Sequence, residues 1–218
     1  MEQRRLRKHR AQTRALAVCL GLRGVFGSAA GMTTVARLKR AVATQAARHA
    51  DQERCRMQQK AAADRGRKAR RMLYVGLRHV AHVSRVVHRK DDRVASIEPP
   101  SWMDDDGLIG RAEAILDAVR PHEALFVATG VRAGFFAVLA GEMAALRTAK
   151  DGVVRARVRY AECTAAIDRA QKEGDQAAAA AEGFLAASPG APEGALNSFR
   201  RAKRIGTSSR LPKRPPTA

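Results

Sequence analysis

Three histidines, His79, His82 and His88, fall on one helical stretch at spacings that bring side chains onto a shared face, the first requirement for gripping a metal ion. Further donors are missing. The Glu-x-x-His pairs that build di-iron bundles do not occur, and the nearest carboxylates, Asp91 and Asp92, stand where the helix should end. Solvated or partly packed histidines are the better reading. Asp104, Asp105 and Asp106 would need more oxygen ligands at set spacing to hold calcium; immediately before an apolar-periodic run, they are placed to cap a helix. Gly21, Gly24 and Gly27 cradle no phosphate unless a strand feeds them, and none is visible. Cys19, Cys55 and Cys163 lie far apart without metal-ligand spacing and leave an odd thiol after any pairing, which fits reduced side chains and a cytoplasmic protein. Cys163, on an apolar seam, reads as a small core residue rather than a nucleophile. No P-loop, G-x-S-x-G elbow, H-E-x-x-H helix or C-x-x-C pair is present. No catalytic, cofactor-binding or metal-binding residue is therefore assigned, and the expectation is a protein that is not an enzyme.

Charge carries the other chemistry. The chain has 41 Lys and Arg against 21 Asp and Glu, a net charge of +20. The excess lies in residues 1–31 (seven cations, one acid), 32–94 (seventeen and five) and 188–218 (seven and one), whereas 95–130 carries two cations and seven acids. The basic ends nominate nucleic-acid contacts: Arg4, Arg5, Arg7, Lys8 and Arg10 at one, and Arg200, Arg201, Lys203, Arg204, Arg210, Lys213 and Arg214 at the other. Such contacts would neutralise phosphates without reading sequence. Arg65, Arg67, Lys68, Arg70 and Arg71 form a third cluster that reads as a solvated helix face, and the acidic 95–130 segment is as available to these cations as any external anion. Aromatic residues do not interleave the basic clusters, no helix-turn-helix is apparent, and Arg outnumbers Lys 32 to 9, a bias that GC-rich coding also produces.

The elements that must position these groups are helices. Aromatic residues make up only 4% of the chain, too few to fill a thick globular core but enough for Ala and Leu seams between close-packed helices. From Phe136 through Leu139, Met143, Leu146, Ala149, Val153, Ala156, Tyr160, Cys163, Ile167, Ala170, Gly174, Ala177 and Ala181 to Phe184, apolar and small residues recur at threes and fours with no charge among them. A helix that long, about 70 Å, needs a partner of similar length. Residues 33–89 supply it, capped by Thr33 or Thr34. Their seam is Val35, Leu38 and Val42, then Ala62, Gly66, Ala69, Leu73, Gly76, Val80, Val83 and Val87. Between these runs Gln45, Gln52 and Gln59 fall seven apart. Either they place three register-fixing amides in the seam, or the helix bends there and they face water.

Around this pair the sequence places a helix over 2–22, its basic half in water and its apolar half docked. A Pro- and Asp-rich connection over 94–107 follows, with Trp102 pinning the crossover, then a helix interrupted at Pro121, and a second long helix from about Val131 to 187. A short helix over 193–205 precedes a disordered tail. The expected fold is an all-α, elongated antiparallel bundle on helices at about 33–89 and 131–187. Its parts are a basic N-terminal region (1–31), the bundle (32–187) and a basic tail (188–218). The Ala15–Leu22 run resembles a signal peptide, but Arg23 interrupts it early, so secretion is the minor alternative; Arg132 and Glu142 interrupt the other apolar stretch, and no membrane partner is expected. The reading that results is an interaction or structural module that binds a protein partner or itself through its helices, with no small-molecule substrate. The alternative is a nonspecific nucleic-acid-binding accessory protein.

Overall fold

The computed structural model describes residues 2–101 and 103–204. Trp102, the 205–218 tail and, within it, Arg210, Lys213 and Arg214 lie outside the described residues. Six α-helices form, α1 (Glu2–Gly21), α2 (Ala29–His88), α3 (Asp105–Val119), α4 (Glu123–Ala128), α5 (Phe135–Ala187) and α6 (Ala195–Lys203), and no strand occurs among the described residues. The long helices α2 and α5 pack against each other, as their matched stripes require. Their contacts run in opposite directions: Gln45 reaches Ala170, Gln52 reaches Thr164, Gly66 faces Val153 and Gly76 faces Leu139. No described helix is long and apolar enough to cross a membrane.

Three helix ends differ from expectation. α2 begins at Ala29, where Ser28 Oγ accepts the Gly31 backbone N–H at 3.2 Å; Thr33 and Thr34 instead donate back to the carbonyls of Ala29 and Ala30. The helix extends backward because Gly31 lies against the Phe26 backbone, where an added Cβ would come within 2.7 Å of Phe26 Cα. α5 begins at Phe135 rather than Val131, since Gly134 adopts φ +77 and its carbonyl accepts the first helical amides, Ala137 and Val138. α6 is confined to Ala195–Lys203. Capping of α3 is as expected: Asp104 Oδ1 accepts the Gly107 N–H at 2.8 Å. After α3, Pro121 sits in a single 3₁₀ turn, Arg120–His122, before α4.

The chain divides into two compact units, one holding the described residues up to Arg54 and from Ala161 onward, the other Cys55–Tyr160. In the first, α1, α6 and their share of α2 and α5 enclose Ala15, Cys19, Leu38, Ala178, Ala181, Leu185 and Phe199. The turn between α1 and α2 adds Phe26, whose ring stacks on Phe184 with centroids 5.1 Å apart. Burial pushes the Cys19 thiol up to about 11, the behaviour of a packed side chain.

In the second unit α3 presents Leu108, Ile109, Ala112, Ile115, Leu116 and Val119 to Leu73, Leu77, Val80, Leu139 and Leu146. Phe126 of α4 meets Phe136 edge-on at 5.3 Å. The connection into α3 is tied down by Ser84, whose Oγ accepts the Ile97 N–H at 3.0 Å, and by His88, whose Nδ1–H donates to the Val94 carbonyl at 2.8 Å. Just past α2, Arg93 holds the Asp91 carboxyl down at about 2, through its guanidinium first and its backbone N–H second.

Leu73 is fully buried and Met72 beside it is 49% exposed, so these neighbours test which face of α2 is packed. Leu73→Ala should cost about 2–5 kcal/mol in denaturant unfolding, and Met72→Ala less than about 0.5 kcal/mol. Equal losses would show that the register of α2 is wrong.

Candidate interaction surfaces

Within the first unit the seam glutamines form a buried polar layer. Gln45 is fully buried and Gln52 is 5% exposed, while Gln59, in the second unit, is half-buried. Of the two sequence readings, amides in the seam therefore hold for Gln45 and Gln52. Gln45 uses both amide donors and one acceptor site: Nε2 donates to Gln12 Oε1 and to the Ala170 carbonyl (3.1 Å), and Oε1 accepts from His9 Nδ1 (3.3 Å). Gln12 Nε2 in turn donates to Asp175 Oδ1 at 2.7 Å, and Lys8 Nζ to the other oxygen at 3.1 Å. Gly174 makes the room, for a Cβ there would fall on the Gln45 and Gln12 amides. Gln52 donates to Thr164 Oγ1 at 3.1 Å, and Gln171 to the Arg5 carbonyl at 3.2 Å. The heptad spacing on α2 announced this layer, but its partners Gln12 and Gln171 carried no local signal.

The basic half of α1 does not simply stay in water, which corrects the expectation for that helix. Arg5, its side chain only 14% exposed, clamps Asp168 of α5 through Nε (2.9 Å) and Nη2 (2.8 Å). At the other end Glu182 of α5 accepts from Arg200 Nε at 2.8 Å and Lys203 Nζ at 2.9 Å. Lys203 first and Arg200 second hold its carboxyl below the usual glutamate range, so this support for α6 is present above that range and is lost as pH falls through the lowered value. Arg5, Lys8, Arg200 and Lys203, all nominated for phosphate contact, are thus each paired with a carboxylate of α5, Arg200 while still exposed. Arg4, Arg10, Arg201 and Arg204 are exposed and Arg7 is half-buried. α1 and α6 are brought together: Arg14 donates to the carbonyls of Ala202 (3.3 Å) and Arg204 (3.0 Å), capping α6 and placing the two basic segments at one edge.

The second unit presents two contrasting flanks of the α2–α5 pair. On one, α3 lies over both helices, its acids paired with their cations: Asp105 with Arg70, Asp106 with Lys150 and Glu113 with Arg147. On the other flank is an open groove of about 750 Å³. Its floor is Ala62, Ala69, Ala145, Ala149 and Gly152; Arg65, Lys68 and Arg155 stand at its rim, with Glu142 and Met72 at one end. The sequence showed the small residues but not which flank α3 would leave open.

Comparison of the chain with protein-family models, with curated proteins and with solved structures finds no match. Fold and surfaces together define an all-α helical bundle with a polar seam layer, a basic edge and an open groove.

Gln45→Ala would strand the buried Gln12 Oε1, and the expected loss is about 1–3 kcal/mol. Amide hydrogen exchange should show that loss as faster exchange in α1 than in α3. Unchanged exchange throughout α1 would mean the layer does not hold that helix.

Proposed function

We propose that the chain is a non-catalytic helical module whose work is to bind another macromolecule. The observation that supports this most is the open groove, a depression along a packed pair whose opposite flank already holds a helix. The groups whose protonation the fold shifts furthest point the same way. Cys19 is a packed thiol and Asp91 a turn carboxylate paired with its neighbour Arg93, which is the chemistry of folding rather than of a reacting centre. A cytoplasmic setting suits three reduced cysteines. Native purification of the chain from its own cells should bring down one polypeptide in stoichiometric amount that survives nuclease treatment. Elution as a bare 23.6 kDa monomer would contradict the reading.

A second reading, nonspecific nucleic-acid binding, is favoured by the edge where Arg14 joins α1 to α6 and where Arg10, Arg201 and Arg204 remain exposed. On that reading duplex DNA binding weakens at least about tenfold between about 50 and 200 mM salt. Paired Arg10→Glu and Arg201→Glu substitutions should lower it further. Affinity that ignores both salt and these substitutions removes this reading.

A further inference from the structure

We propose that the open groove on the Cys55–Tyr160 unit is the docking site for a single acidic amphipathic helix of a partner protein, an inference that rests on the interaction-module reading and gives it a ligand class. The precedent is in the same unit. α3 carries Asp105, Asp106, Glu113 and Asp117 against one cation, Arg111, and buries one apolar face on α2 and α5 while Arg70, Lys150 and Arg147 take three of its acids. A 100° turn per residue puts Arg65, Lys68 and Met72 on the flank of α2 opposite Arg70. The same step turns Thr148, Gly152 and Arg155 about 140–160° from Lys150 and about 80–140° from Arg147, away from the side of α5 that α3 covers. The open groove therefore repeats the chemistry of the α3 seat: an apolar floor between two helices, bordered by cations.

Its dimensions suit a helix. Ala62 to Met72 is eleven residues of α2, a rise of about 15 Å or nearly three helical turns. Alanine and glycine along the floor let a third helix approach closely. Apolar surface continues from Met72 at the groove's end, 49% exposed, to Val75 and Val138, 58% and 62% exposed. Arg65, Lys68 and Arg155 make no ion pair with any described residue, whereas the cations under α3 are all paired.

Charge also selects among occupants. Residues 205–218 contain Arg210, Lys213 and Arg214 and no acid, so the chain's own tail would meet like charge at the rim. A second copy apposing the same flank would set Arg65, Lys68 and Arg155 against their own counterparts, with only Glu142 to offset them. An acidic helix meets neither obstacle.

The test is fluorescence anisotropy with a labelled peptide of the 104–119 sequence and a control in which Asp105, Asp106, Glu113 and Asp117 are replaced by Lys, each titrated into the full chain. Saturable binding is expected, at least about tenfold tighter for the acidic peptide and weaker in high salt. A variant combining Arg65→Glu, Lys68→Glu and Arg155→Glu should reduce it at least about tenfold with the circular-dichroism melt unchanged. Equal binding of both peptides, or indifference to the triple substitution, overturns the proposal. So does a loss that follows only Arg147→Glu with Lys150→Glu, which would mean exchange into α3's own seat, or a dimer that Ala149→Arg dissociates when no peptide binds. Should a natural complex co-purify and survive the triple substitution, this groove assignment fails while the module reading stands.

Discussion

The side-by-side packing of α2 on α5 is the constraint from which the rest follows. Small residues make room along the seam: Gly66 opposite Val153 and Gly76 opposite Leu139 in one unit, Gly174 beneath the Gln12 and Gln45 amides in the other. Apolar stripes alone would tolerate sliding along such a seam, because one alanine packs much like another. The buried amides do not tolerate it. Moving Gln45 by one residue rotates it about 100° away from the Ala170 carbonyl and leaves buried polar groups without partners. Hydrophobic burial thus drives the pairing in each unit, and in the first unit the amides choose its register.

The shorter helices add cover and absorb charge. In the first unit Arg5 and Lys8 of α1 and Arg200 and Lys203 of α6 reach Asp168, Asp175 and Glu182 along α5. In the second, α3 brings its own acids to cations on α2 and α5. Most of these pairs are exposed and each contributes little on its own, but they consume acids in a chain that has few. What remains facing outward is strongly positive. Both functional readings draw on that imbalance, one through an apolar groove edged with cations and the other through the α1–α6 edge.

Periodicity made the two long helices legible before any coordinates, because each side chain's burial is decided by its step along one stripe: Leu38, Leu73, Ile167 and Ala181 are all buried where the spacing put them. Helix starts were less legible. Thr33, Thr34 and Ser28 are all competent caps, and the choice fell to Ser28 through the packing of Gly31 on Phe26, a contact invisible in the spacing. The same holds for α5, whose start depends on the left-handed Gly134. Contacts such as Arg5 with Asp168 join residues 163 apart, so a run of arginines could be read as a solvated or anion-binding segment when part of it is internal structure. Seam amides were visible as spacing, but their partners on α1 and α5 belong to tertiary structure. The groove is a product of topology: its residues are ordinary small helix formers until α3 occupies one flank and leaves the other open.

Nuclear Overhauser contacts in a sample mixed from differently labelled chains test the pairing most directly. The account predicts intrachain contacts from the Val153 methyls to Gly66 Hα and from the Leu139 methyls to Gly76 Hα, where the structure places Val153 Cγ2 3.9 Å and Leu139 Cδ1 2.5 Å from a Cβ built on each glycine. Contacts found only between chains, or pairing these side chains with different residues of α2, would contradict it.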